Sequence, residues 1–83
     1  MTIQTDVLRI LDEVLSLRGR ALTFQASTPL LGAIPELDSM AVVTLITTLE
    51  ERFGFIVDDD EIGGDTFASV GRLTAFVEAK LSA

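Results

Sequence analysis

The sequence contains no cysteine, no histidine, no tryptophan and no tyrosine. These absences exclude a thiol nucleophile, an imidazole general base and a zinc site built from Cys and His. Disulfides are excluded as well, so a chain of this length must be held together by packing alone. We therefore expect a protein that is not itself an enzyme.

Basic residues are scarce, since six Lys and Arg stand against thirteen Asp and Glu, for a net charge of −7. This charge repels nucleic-acid backbones and anionic membranes, so we expect no nucleic-acid partner. No apolar run approaches the roughly 18 residues that span a bilayer, so we expect no membrane insertion. The first residues lack the cationic segment of a signal peptide, and we expect a cytoplasmic monomer.

Apolar residues recur at helical spacing in three segments of the 83 residues, which we expect to form one domain, 1–83. The spacing predicts helices over residues 2–18, 39–53 and 70–81. We expect Gly19 and Gly54 to end the first two, Asp38 or Ser39 to begin the second and Ser69 to cap the third.

Residues 20–38, named here the first connection, contain both prolines and show no sustained period. Long loops of this kind are often functional or packed into the core. A short helical turn is expected over residues 58–62, closed by Gly63 and Gly64. The fold class that follows is all-α, a small bundle of three main helices plus one short helix, with a long first loop.

The stretch Glu36-Leu37-Asp38-Ser39-Met40 carries most of the functional information. A serine in the first turn of a helix faces solvent at the positive end of the macrodipole, which favours a phosphate ester there. Spacing alone favours a plainer interpretation, in which Asp38 or Ser39 is only a helix cap. No histidine can take the serine's proton, so another enzyme would have to supply the base for any chemistry at Ser39.

At these residues the sequence resembles the acyl carrier proteins and the related peptidyl and D-alanyl carrier proteins. Leu37-Asp38-Ser39-Met40 matches their Asp-Ser-Leu/Met attachment signature. The resemblance continues through the two stretches Leu49-Glu50-Glu51-Arg52-Phe53-Gly54 and Phe67-Ala68-Ser69-Val70-Gly71-Arg72-Leu73. It covers residues 30–81 well and residues 1–29 only in pattern.

The resemblance implies that Ser39 is the attachment point of 4′-phosphopantetheine, which a separate magnesium-dependent transferase takes from coenzyme A. The thiol of the arm then carries an acyl or aminoacyl group as a thioester, and the bundle could shelter part of that cargo between its helices. Asp38 would serve in recognition of the transferase and its metal, so the chain itself has no metal site. The implied partner interface on the second helix consists of Met40, Val43, Thr47, Glu50 and Glu51.

Two departures from the fatty-acid carrier pattern stand out. Positions 41, 44, 47 and 48 are Ala, Thr, Thr and Thr, so the middle of the second helix lacks the acids that basic partner patches grip. The run from Leu31 to Ser39 replaces the compact Asp-Leu-Gly-x-Asp-Ser run of housekeeping carriers. The first departure implies recognition through shape and apolar contact with Met40 and Val43. The second argues against the main fatty-acid carrier, and the Leu-Asp-Ser-Met version is similar to that of D-alanyl carriers and of small stand-alone carriers of acyl or aminoacyl groups. The partners would be the transferase and an acyl- or aminoacyl-activating ligase, a synthase or an acyltransferase.

Two alternatives accompany this interpretation. The acidic run Asp58-Asp59-Asp60-Glu61 invites a calcium site, but it fails the EF-hand template and is better explained as a solvated cap. An acidic helical adaptor, which binds a basic protein surface without a cofactor and uses Ser39 only as a cap, is the competing function.

Overall fold

In a computed structural model, which describes residues 2–63 and 65–82, the chain forms three α-helices and two 3₁₀ helices. The α-helices are α1 (Ile3–Leu15), α2 (Ser39–Phe53) and α3 (Val70–Ser82). The 3₁₀ helices are Arg20–Thr23, which the sequence did not predict, and Asp59–Glu61, which lies inside the predicted turn. No strand occurs in these two ranges, and the all-α bundle is confirmed. Gly64, expected to close the short helix, lies outside the described residues.

The helix α1 forms the centre of the bundle, because both α2 and α3 pack against it. Each helix buries its apolar stripe there, and the burial of these side chains is the main stabilising force of the fold. The fully buried side chains include Val7, Ile10, Leu11, Leu45, Leu49, Val70, Leu73 and Val77. On α2 the apolar residues Val42, Ile46 and Phe53 are only partly buried.

The end of α1 corrects the sequence prediction. The helix ends at Leu15, three residues before the predicted Arg18, and Ser16, not Gly19, is its left-handed C-cap, with φ 54°. Arg18 and Gly19 also have positive φ, so the chain reverses sharply at this point. The reversal returns Leu17 to the core, where it is 2% exposed. The apolar pattern therefore continues past the end of the helix, which explains the error.

The carboxylate of Asp12 holds this reversal together. Its Oδ1 accepts hydrogen bonds from the backbone N–H of Gly19 at 2.8 Å and of Ala21 at 3.3 Å. Its backbone carbonyl accepts from the N–H groups of Ser16 and Leu17. One residue thus satisfies four donors and fixes the first 3₁₀ helix against the end of α1.

The first connection is packed into the core, as its length suggested. Leu30 and Leu37 are buried, and residues 26–31 run antiparallel to the segment that leads into α3. The N–H of Leu30 donates to the carbonyl of Ala68 at 3.1 Å, and the N–H of Gly71 donates to that of Ala26 at 2.8 Å. This pairing, an isolated bridge without a full strand, ties the first connection to α3.

Both ends of α2 and the start of α3 agree with the sequence prediction, whereas α1 begins one residue later, at Ile3, and α3 ends one residue later, at Ser82. Gly54 adopts φ 76° and ends α2. The Oγ of Ser69 accepts a hydrogen bond from the N–H of Arg72 at 3.2 Å, as expected of a cap. Among the described residues, no helix has the length and apolar character needed to cross a membrane.

Candidate functional site

The start of α2 is built by Asp38. Its backbone is extended, with φ −102° and ψ −175°, and its Oδ1 accepts a hydrogen bond from the N–H of Ala41 at 2.8 Å. Its carbonyl accepts the first intrahelical bond, from the N–H of Val42 at 2.9 Å. Asp38 is therefore the N-cap, and Ser39 is the first residue of the helix.

Ser39 is exposed at this end of the helix. Within the described part of the chain, the backbone N–H groups of Ser39 and Met40 have no protein acceptor. Asp38 accepts instead from the N–H groups of Ala41 and Val42. Two free donors and the positive end of the helix dipole suit a phosphodiester on the serine oxygen. The residues present thus fit a phosphopantetheine group.

The segment before Ser39 is anchored on both sides. The side chain of Leu37 is buried, with 4% exposure, directly beside the exposed Asp38. The carboxylate of Glu36 accepts a hydrogen bond from Arg20 at 2.7 Å. A hydrogen bond from its own backbone, together with the one from Arg20, lowers the pKa of Glu36 below its usual value. These contacts hold residues 36–38 against the first 3₁₀ helix.

Among the described residues, Ser39 has neither a histidine nor a lysine beside it that could take its proton. The sequence has no histidine, and its one lysine, Lys80, binds both carboxylate oxygens of Glu61 at the far end of α3. The described residues also contain no cluster of His, Cys, Asp or Glu that could hold a metal ion. In the acidic run before Ile62, Glu61 forms an ion pair with Lys80.

The outer face of α2 begins beside Ser39 and is apolar. Met40 is 75% exposed and Val43 is 61% exposed, and Thr47 continues the same face one turn later. The hydroxyl of Thr47 donates to the carbonyl of Val43 at 3.1 Å, and those of Thr44 and Thr48 bond to their own helix in the same way. Because these hydroxyls are turned onto the backbone, the face presents mostly carbon to a partner.

The two glutamates at the end of α2 have different surroundings. Glu51 is exposed, whereas Glu50 is half-buried, and its Oε2 accepts a hydrogen bond from the N–H of Val57 at 2.8 Å. Glu50 therefore fastens the link that follows α2. Met40, Val43 and Thr47 share one face with the start of the helix, and Glu51 lies beyond it.

Sequence reasoning missed several exposed apolar residues: Leu22 and Leu31 in the first connection, which are 54% and 47% exposed, and above all Ile56, which is 78% exposed in that link. Its neighbours Phe55 and Val57 are both half-buried, and the Phe55 ring stacks on that of Phe53 with centroids 6.0 Å apart. In an extended segment the side chains alternate between two faces, so alternation could have placed Ile56 outward.

Comparison with known proteins adds a family and a solved structure. The family model described as the phosphopantetheine attachment site matches residues 5–77. The solution NMR structure of a holo acyl carrier protein from Nitrosomonas europaea is 57% identical to this chain. Each chain is covered over 100% of its length, with a TM-score of 0.92. No match was found among curated proteins.

Proposed function

As this chain belongs to the phosphopantetheine-attachment family and is an acyl carrier protein, we propose that Ser39 is the residue that bears its 4′-phosphopantetheine. The exposure of Ser39 at the first position of α2 carries this proposal. When bound, the group supplies the thiol that the sequence lacks, and an acyl group is held on it as a thioester. The chain is a carrier and not a catalyst.

The chain's own contribution to loading is to present the hydroxyl. Ser39 Oγ forms the new bond to the phosphorus of the phosphopantetheine, while the pyrophosphate bond of coenzyme A breaks and adenosine 3′,5′-bisphosphate leaves. The serine proton goes to a base of the transferase, because this chain has no histidine to take it. The free N–H groups of Ser39 and Met40, at the positive end of α2, would be the donors available to the phosphodiester. Leu37, buried beside the site, keeps the attachment point fixed while the arm moves.

Loading is tested by intact-mass analysis after incubation with coenzyme A, Mg²⁺ and a broad-specificity phosphopantetheinyl transferase. We expect the wild type to gain the mass of one phosphopantetheine. The variant Ser39→Ala should gain nothing, and Ser27→Ala, which removes another exposed serine, should load normally. A full mass gain in Ser39→Ala would place the attachment elsewhere and refute the proposal.

Asp38 has two roles in this proposal, as the cap of α2 and as a charge read by the transferase and its magnesium. The variant Asp38→Asn separates them, because asparagine caps a helix about as well as aspartate but carries no charge. We expect Asp38→Ala to lower the free energy of unfolding by about 1 kcal/mol. Asp38→Asn and Ser39→Ala should each lower it much less.

The loading rate tests the second role of Asp38. We expect Asp38→Asn to load more slowly than wild type while its unfolding midpoint stays near the wild-type value. If Asp38→Asn loads at the wild-type rate, the charge has no part in recognition and Asp38 is a cap only. If Ser39→Ala costs more stability than Asp38→Ala, the assignment of the cap itself is wrong.

The partner enzymes are proposed to dock on the face formed by Met40, Val43 and Thr47, with Glu51 at its edge and Glu50 contributing through the link it fastens. The partners we infer are the transferase and an acyl- or aminoacyl-activating ligase, a synthase or an acyltransferase, acting on a cytoplasmic monomer. The lack of charge in the middle of this face favours partners that read shape and apolar contact. Val43→Asp should therefore slow cargo transfer from any such enzyme, while Arg72→Ala, on α3, should not.

A further inference from the structure

Methionine is the only readily oxidised residue type in this protein. Cysteine, tryptophan, tyrosine and histidine are the other side chains that common oxidants attack, and the sequence contains none of them. Its two methionines are Met1, which lies outside the described residues, and Met40, the second residue of α2. Oxidative chemistry on the polypeptide is therefore confined to these two thioethers.

Met40 is open to a dissolved oxidant. It is 75% exposed on the outer face of α2 and directly follows Ser39. A buried thioether reacts only when the fold opens, whereas an exposed one needs no such step. Met40 lies in the first turn of a helix that Asp38 caps, so its exposure does not come from a frayed end. We therefore expect oxidation of Met40 to leave the fold intact.

Oxidation would change the chemistry of the face on which partners are proposed to dock. A partner that covers Met40 buries carbon and sulfur while the thioether is reduced, but a strongly polar S–O group once it is oxidised. The hydroxyl of Thr44, one turn further along the helix, already donates to the carbonyl of Met40 at 3.2 Å, so it is not free to solvate that oxygen. Removing the sulfoxide from water therefore weakens binding unless the partner supplies a donor.

We propose that Met40 is a reversible oxidation site, and that its sulfoxide weakens the docking of partner enzymes on the face formed by Met40, Val43 and Thr47. A peroxide supplies the oxygen: a sulfur lone pair forms the S–O bond, the O–O bond breaks, and the remaining oxygen of hydrogen peroxide leaves as water. The sulfur loses two electrons and the peroxide gains them. Methionine sulfoxide reductases reverse the step by oxidising two thiols to a disulfide, with release of water. The inference rests on the proposed function, because it needs partners that use this face.

Loading by the broad-specificity transferase measures the effect. The apo protein is treated with hydrogen peroxide, since the thiol of a loaded arm would also be oxidised, and peptide mapping by mass spectrometry quantifies the sulfoxide at Met40. We expect kcat/KM for loading from coenzyme A to fall about tenfold when Met40 is oxidised. Treatment with the two methionine sulfoxide reductases, one for each epimer, should restore it. The Tm should stay near that of the untreated protein, because Met40 is exposed.

The matched control is Met40→Leu, which keeps an apolar side chain of similar size that peroxide does not oxidise. This variant retains Met1, so it also reports the effect of oxidation there. We expect peroxide to leave its own kcat/KM for loading unchanged. Three results would each overturn the inference and leave Ser39 attachment intact: Met40 sulfoxide that loads as fast as untreated protein, an equal loss in treated Met40→Leu, or a Met40 that resists peroxide while Met1 is oxidised. Untreated wild type that does not load at all would refute the proposed function as well.

Discussion

Asp12 offers the sharpest test of how this fold is held, because one side chain supports the whole reversal after α1. Replacing it with alanine removes the acceptor for the N–H groups of Gly19 and Ala21, at 2.8 and 3.3 Å. A hydrogen bond to a charged group contributes about 1.5–3 kcal/mol, and the longer of these two bonds should contribute less. Ala21 is fully buried, so water cannot easily replace the lost acceptor there.

We therefore expect Asp12→Ala to lower the free energy of unfolding by about 2–4 kcal/mol, a large part of the roughly 4–12 kcal/mol typical of a domain this size. Asp12→Asn keeps a neutral acceptor and should lose about half as much. The matched control is Glu13→Ala, the next residue along α1, whose exposed ion pair with Arg52 contributes at most about 1 kcal/mol. Urea unfolding followed by circular dichroism measures all three, with the m-value checked for constancy.

The comparison between neighbouring residues decides whether the reasoning holds. If Asp12→Ala costs no more than Glu13→Ala, the carboxylate does not fix the reversal, and the left-handed residues there must be held by side-chain packing alone. If Asp12→Asn is as damaging as alanine, charge matters more than hydrogen-bond acceptance. Neither result would bear on Ser39, so this test is independent of the carrier function.

Two further predictions concern α3. Its Lys80 donates a hydrogen bond to the carboxylate of Glu61, and this lowers the pKa of Glu61 in the folded protein. The resulting stabilisation is present at pH values above the ordinary glutamate pKa, and it is lost as the pH falls through the lowered pKa of the folded protein. The difference in unfolding midpoint between wild type and Glu61→Gln should therefore be constant near neutrality and shrink in acid; a difference that grows in acid would contradict this. Gly71 donates its N–H to Ala26, and a Cβ at Gly71 would lie 3.0 Å from that carbonyl oxygen. Alanine usually stabilises a helix by roughly 1 kcal/mol over glycine, but Gly71→Ala should not raise the free energy of unfolding by this amount. Ala75→Gly, on the exposed side of α3, measures the alanine–glycine difference in this helix directly. A full gain in Gly71→Ala would show that the close approach is unimportant.

The sequence predicted the helices well because their signals are local. Asp38 and Gly54 mark the two ends of α2 by residue type, and the structure places both as caps of that helix. Ser69 similarly caps α3. Each of these residues acts within three or four positions of its own place in the chain, so composition and spacing suffice to find it.

The contacts that the sequence did not reveal join distant positions or depend on backbone conformation. The reversal at Ser16 requires a non-glycine residue in the left-handed region, which is uncommon and gives no pattern. The pairing of residues 26–31 with the segment that begins α3 spans some forty positions and involves only backbone groups. The partner face was predicted from a family resemblance that concerns α2 alone. That prediction therefore did not include Ile56, which lies in the link after the helix.

The contacts around Ser39 fix the backbone at the start of α2 and leave the serine side chain exposed. Leu37 is buried immediately before the site and Met40 is 75% exposed immediately after it, so the chain passes from core to surface within three residues. Asp38 fixes that transition by capping α2. The Arg20–Glu36 ion pair joins the same segment to the first 3₁₀ helix, whose place in turn depends on Asp12. The segment before Ser39 and the first 3₁₀ helix therefore share one support. The chain has neither a thiol nor a histidine, and what it presents at the start of α2 is one exposed hydroxyl next to an exposed apolar face.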